Sequence, residues 1–197
     1  THLNPPLSLH DVDAAIDQLL LPNLSLVADA ARYHFSAGGS RIRAQLGLAA
    51  AAALNLSPQA SLACALAPEL LHNASLVHDD LQDGDTMRRT RPAVWSRFGK
   101  DIAISTGDLL ISAAYVALAQ HPHPAAALRA MHEAIAFTID GQTQDCRTKN
   151  PSPGRYEIIA ANKSGPLLAL PIRLALIAAN IPGQDTSVQA GHALAIA

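Results

Sequence analysis

Apolar side chains recur at helical spacing along almost the whole chain, and breaks rich in proline and glycine divide that pattern into segments. Val12, Ile16, Leu19 and Leu20 form one stripe behind Ser8, a residue suited to cap a helix, and Pro22 ends it. Residues 1–7, with Pro5 and Pro6, read as irregular. A second helix is expected over 25–36. Gly38 and Gly39 then punctuate the chain, and Ser40 is placed to cap a long alanine-rich helix that runs to the break at Asn55 to Pro58. From Gln59 to about Asp85 the apolar pattern is long enough for a central helix. The stretch 101–119 predicts another, interrupted at Gly107-Asp108, and HPHPA stops it. Residues 124–145 predict the next, followed by a loop from Lys149 to Gly154. Two helices are expected to start near Arg155 and near Ser164, with Pro166 suited to a first turn and Pro171 predicting a kink. A last helix starts at Val188.

Composition agrees with helices and little else. The chain has 197 residues, 49% hydrophobic but only 4% aromatic, with alanine and leucine dominant, which favours close-packed helices over a sheet of β-branched and aromatic residues. The expected fold class is all-α, in one domain over 1–197. A formal charge of −2 leaves no electrostatic footprint for nucleic acid. Cys64 and Cys146 lie far apart without CxxC spacing, so neither a disulfide framework nor zinc is indicated, and a reduced, cytoplasmic location is the default. Acidic Asp11, Asp13 and Asp17 near the start speak against a signal peptide. No uninterrupted apolar run reaches the ~20 residues that span a bilayer, so no stable membrane insertion is expected.

One stretch breaks the pattern. HNASLVHDDLQDGDTMRR, from His72 to Arg89, continues an apolar helix directly into Asp79, Asp80, Asp83 and Asp85, followed by Arg88 and Arg89. At about 100° per residue Asp79 and Asp83 share one face, roughly 6 Å apart along the axis, and His72 shares it two turns earlier. Like charges one turn apart destabilise a helix by about 0.2–0.5 kcal/mol, and carboxylates that extend a buried helix cost more unless they line a cavity or hold a cation. Oxygen donors alone suit Mg²⁺, which keeps several waters and bridges carboxylates to phosphates. A solvated acidic helix end followed by a basic turn is the bland alternative.

The run HDDLQDGDTMRR resembles the first aspartate-rich motif of the trans-polyprenyl diphosphate synthases, the isoprenyl synthase family, and further stretches match in order. GGSRIRA at 38–44 is similar to the family's GGKRxRP segment, which places Arg43 on the diphosphate of isopentenyl diphosphate, with Ser40 where lysine is usual and Ala44 where proline is usual. The resemblance puts His72 and Arg89 beside that same diphosphate and Arg88 on the allylic diphosphate. GQTQD supplies Gln142 and Asp145 where the family has GQxxD, and NKSG supplies Lys163 and Ser164 where it has Lys-Thr, Lys163 gripping the allylic diphosphate. The C-terminal GHALAIA resembles the sequence just before the family's second aspartate-rich motif, so the chain is expected to be a truncated version of a longer protein.

What the resemblance implies is a helical bundle around a central cavity, a homodimer, and Mg²⁺ held by Asp79 and Asp83 with Asp80 in support. The implied reaction joins an allylic prenyl diphosphate head-to-tail to isopentenyl diphosphate and releases diphosphate. A class I terpene synthase, needing the metal motif but no extender site, and a non-catalytic partner subunit are the alternatives. Small residues one turn before the motif, Ala74 and Ser75, imply a product longer than fifteen carbons. Ser75, about 40° around the helix from Asp79, is better placed as the gate than Ala74 at about 140°.

Overall fold

The computed structural model describes residues 7–20, 25–148, 152–182 and 184–196, and among these it forms nine helices and one short hairpin. The helices are α1 (Leu9–Leu19), α2 (Leu26–Ser36), α3 (Ile42–Ala53), α4 (Pro58–Asp83), α5 (Val94–Phe98), α6 (Lys100–Leu118), α7 (Pro124–Arg147), α8 (Pro153–Ala178) and α9 (Gln184–Ile196). Strands β1 (Met87–Arg88) and β2 (Arg91–Pro92) pair antiparallel between α4 and α5. The expected features at Pro5, Pro6 and Pro22, and the start of the loop at Lys149, lie outside the described residues.

Helix α4 is the axis of the bundle. Ser57 caps it by accepting from the Ala60 N–H at 3.3 Å, Pro58 occupies its first turn, and Gly84 closes it in the left-handed conformation at φ 74°. It touches α1, α3, α5, α6, α7 and α8. Leu70, Leu71, Leu110, Leu118, Met131, Leu170 and Leu174 form the body of the main core, each such side chain contributing about 1.5–3 kcal/mol by leaving water. A second, smaller core of Ala30, Val77, Val94 and Ala103, flanked by Tyr33, Leu81, Trp95, Phe98 and Ile102, lies under the acidic end of α4.

Several expectations are corrected. The two helices expected from Arg155 and Ser164 are one, α8, which runs through both Pro166 and Pro171. Both prolines are buried, and packing against α3, α4, α7 and α9 holds the helix across the missing N–H groups. Helix α6 is likewise continuous through Gly107, because α4 packs closely there: a Cβ at Gly107 would sit 2.0 Å from Nε2 of His78. The last helix starts at Gln184 rather than Val188. Ser40 does not cap α3; Arg41 holds that place in the left-handed conformation at φ 51°, and the Ala44 N–H donates instead to Glu69 of α4 at 3.3 Å. By length and composition alone α6, with 19 residues, is apolar enough to cross a membrane, although Lys100, Asp101 and Asp108 interrupt its apolar run; here it packs on α4, burying Ala103, Leu110, Ala114 and Leu118.

Candidate active site

The C-terminal half of α4 faces α7 and α8 across a cavity of about 410 Å³. Arg43, His72, Ser75, Asp79, Gln142, Lys163 and Ser164 all line it, so residues from four helices, separated by up to 121 positions (43 to 164), meet in one place. The apolar part of the wall is Leu76, Ile139 and Leu167. Ala74 is not in the wall: it is 1% exposed and belongs to the main core, as its angle around α4 from Asp79 requires.

Helix α7 reaches α8 closely enough to build the far wall because Gly141 is glycine. A Cβ there would lie 2.4 Å from the backbone nitrogen of Lys163 and 2.6 Å from the carbonyl carbon of Asn162. That crossing brings Asp145 to Lys163, whose Nζ donates to Oδ2 of Asp145 at 2.8 Å and lies 3.7 Å from Oδ2 of Asp79. Burial works against the Lys163 ammonium, but the hydrogen bond to Asp145 and the charges of Asp79, Asp145 and Asp83 outweigh it and hold the group protonated beyond its ordinary range. Gln142 donates to Gln82 at 3.1 Å, tying α7 to α4.

The other end of the cavity is basic and underlaid by a buried polar network. Glu69, 2% exposed, accepts from the Ala44 N–H at the start of α3 and from Nδ2 of Asn73 at 3.1 Å, and lies 3.9 Å from Nη1 of Arg41. Asn73 donates to Glu69, so its Oδ1 accepts, at 3.0 Å, from Nε2 of His34. Arg41 is further held by Asp13 at 3.1 Å. Burial pushes Arg43 down to about 10 against the pull of Glu69, and its Nε is buried without a hydrogen-bond partner. His72 is pushed down to about 3 by burial first and then by Arg43 and Arg89, so it is neutral. This end therefore presents cations short of anions.

Asp80, Asp83, Arg88 and Arg89 do not line the cavity. Asp80 is 1% exposed and grips Arg88 through both carboxylate oxygens, with Nε of Arg88 at 2.8 and 3.0 Å and Nη2 closer still. Its place is thus a buried pair fastening the hairpin to α4 rather than a position beside Asp79, because a residue one step along the helix turns about 100° into the core. The Arg88 guanidinium, expected on the allylic diphosphate, is committed to that pair. The hairpin turns at Arg89 and Thr90, both left-handed at φ 48° and 66°, a conformation in which threonine is rare. The strained turn aims Arg89 at the loop before α3, where a Cβ on Gly39, itself at φ 140°, would fall 2.5 Å from Nη1 of Arg89. Asp83 is exposed, with Sγ of Cys146 at 3.9 Å from its Oδ1.

Asp79 and Asp83 are the pair able to hold a hard divalent cation. Burial lifts Asp79 above the usual carboxylate range, Lys163 opposing and the neighbouring Asp83 reinforcing the shift, so a cation would relieve a charge that is costly as it stands. Among the described residues no three His, Cys, Asp or Glu side chains converge as a metal cage. Two carboxylates with the remaining positions left to water and phosphate oxygens fit Mg²⁺.

Cavity residues that motif reasoning did not reach are Thr138, Ile139, Thr143, Cys146, Arg147 and Leu167. Their helical register relative to Gln142 and Lys163 was the available signal: Thr138 and Cys146 lie four residues either side of Gln142, and Leu167 four after Lys163.

A helical bundle whose central helix ends in carboxylates facing a lysine, above a cation-rich pocket, defines an all-α isoprenoid synthase fold. The chain belongs to the polyprenyl synthetase family, whose model matches residues 24–197. It is 37% identical over 153 residues to a (2E,6E)-farnesyl diphosphate synthase of Mycobacterium bovis, covering 77% of this chain and 43% of that protein. It is 34% identical over 169 residues to a geranylgeranyl diphosphate synthase of Mycobacterium tuberculosis, covering 81% and 48%. The fold superposes on an isoprenoid synthase family member from Thermotoga neapolitana with TM-score 0.86 at 27% identity, covering 95% of this chain and 75% of that one. A geranyltranstransferase from Thermotoga maritima superposes with TM-score 0.85 at 28% identity, covering 93% and 71%. The chain spans less than half the length of these two curated relatives.

Proposed function

We propose that the protein is a Mg²⁺-dependent trans-prenyltransferase that joins an allylic prenyl diphosphate to isopentenyl diphosphate. The observation that carries this reading is the single cavity lined at one end by Asp79 and Lys163, at the other by Arg43 and His72, and between them by Leu76, Ile139 and Leu167. Two anionic groups and an apolar tail have complementary places there.

Lys163 binds the allylic diphosphate and stabilises charge as it leaves. Mg²⁺ held by Asp79 and Asp83 would supply further positive charge to the same leaving group. Arg43, half-buried with its Nε enclosed and unpartnered, binds the extender diphosphate, and Arg89 approaches the same end from the hairpin. Neutral His72 donates a hydrogen bond there without adding charge. Arg88, locked to Asp80, positions the hairpin. Leu76, Ile139 and Leu167 exclude water from the allylic cation. The extender's double bond attacks that cation, a carbon–carbon bond forms, and loss of a proton to the released diphosphate leaves a product five carbons longer. No protein nucleophile is required. We assign the protein to the cytoplasm as a homodimer on the strength of the family resemblance and the unpaired cysteines Cys64 and Cys146.

The test is Asp79→Ala in the full-length protein, measured by consumption of allylic diphosphate with Mg²⁺. The expected loss is several powers of ten in kcat/KM. A rate near wild type removes the metal assignment, and allylic turnover without extender consumption in the wild type points to a terpene synthase.

A further inference from the structure

We propose that Lys163 is a built-in counter-ion that keeps Asp79 from taking up a divalent cation until a diphosphate is present, and that Asp145 is the residue that positions it. The inference rests on the proposed metal role of Asp79. The Lys163 ammonium lies between two carboxylates, 2.8 Å from Asp145 and 3.7 Å from Asp79. It is therefore already where an incoming dication would feel its repulsion. The unequal distances matter. Asp145 holds Lys163 as a direct hydrogen-bond acceptor, while the longer approach to Asp79 neutralises that carboxylate electrostatically without closing it off.

Two further observations give the arrangement a direction. Gly141 lets the α7 and α8 backbones approach closely at Lys163, so in this proposal the lysine moves by swinging its side chain rather than with its helix. The wall on which Lys163 sits continues to Ser164, open to the cavity, so a diphosphate entering there draws the ammonium off Asp79 while Asp145 retains it. Asp79 is then free for the cation. Diphosphate and metal consequently favour each other's binding beyond the direct bonds between them, and linkage makes that coupling reciprocal.

The experiment uses the full-length protein without substrate and Mn²⁺ as the probe, free Mn²⁺ being counted by electron paramagnetic resonance. Removal of one positive charge within about 5 Å of a dication in a solvated site is expected to tighten binding by about tenfold, so Lys163→Met and Lys163→Gln both lower the Kd for Mn²⁺ by that factor. Asp145→Asn, which lets Lys163 settle on Asp79, weakens Mn²⁺ binding several-fold in the wild-type background and has a smaller effect in the Lys163→Met background. Unchanged Kd in both Lys163 variants overturns the proposal, as do equal effects of Asp145→Asn in the two backgrounds, which would make Asp145 a direct ligand. Asp79→Asn separates this from the underlying assignment: loss of Mn²⁺ binding there with unchanged Lys163 variants rejects the counter-ion alone, whereas binding that survives Asp79→Asn removes the metal site and the counter-ion together.

Discussion

Replacing His34 by glutamine should flatten the acid side of the protein's stability profile. His34 is 5% exposed, its Nε2–H donates to Asn73, and Asn73 is pinned by Glu69, so the ring is held neutral beneath the basic end of the cavity. Burial, partly offset by the bond to Asn73 and reinforced by Arg89, Arg88 and Arg41, lowers its pKa from 6.5 to about 4. Because the folded value lies below the unfolded one, the unfolded chain binds the extra proton: this stability is complete above pH 6.5 and is lost as pH falls toward 4. At about 1.4 kcal/mol per pH unit through that window, the loss between pH 7 and pH 4 comes to about 3 kcal/mol, a large part of a typical 5–15 kcal/mol. Glutamine keeps a donor for Asn73 and cannot titrate. Urea unfolding of wild type and His34→Gln at pH 7, 6, 5 and 4 isolates the contribution of His34, since the carboxylates are common to both proteins. Equal pH slopes in the two would refute the buried-neutral assignment.

Ser75→Phe should shorten the product, because Ser75 lines the cavity whereas Ala74 does not; chromatography of products from farnesyl diphosphate and extender should show the wild type passing fifteen carbons and the mutant stopping there. Gly141→Ala should cost about 1–3 kcal/mol in urea unfolding and lower kcat/KM as well, since a Cβ there meets the backbone of Lys163 and Asn162 rather than a side chain that can yield; an unchanged midpoint would show that α7 and α8 separate freely.

Much of the bundle is legible in the sequence because its signals are local. Ser57, Pro58 and Gly84 bracket α4 within three positions of where periodicity alone places it. What is not legible depends on partners far along the chain. Ser40 looks like a cap, but the group that serves the α3 N-terminus is Glu69, 25 residues beyond the Ala44 N–H it accepts from. Pro166 and Pro171 read as a start and a kink, and only packing with four other helices shows why α8 continues. At the site, the i, i+4 geometry of Asp79 and Asp83 is readable, and so is the preference for Ser75 over Ala74, whereas the burial of Ala74 in the main core is not. The commitment of Asp80 to Arg88 is not, since a motif written as letters gives adjacent aspartates equal standing while a helix turns one of them into the interior. Nor does Arg89-Thr90 announce a hairpin, lacking the Asn-Gly signature that its left-handed turn favours.

The smaller core beneath the acidic end of α4 gives that region a melting behaviour of its own. Four buried side chains, two valines and two alanines, are a modest fraction of the apolar surface that secures the rest of the bundle, yet Val77 places the aspartates directly upon them. Opening the α2, α5 and hairpin segment costs less than unfolding the whole, so amide exchange there should outpace exchange in the Leu110 to Leu118 stretch of α6. Warming would then disarm the chemistry while the leucine-rich body remained folded, and the temperature at which the protein ceases to work would lie below the one at which it ceases to be helical.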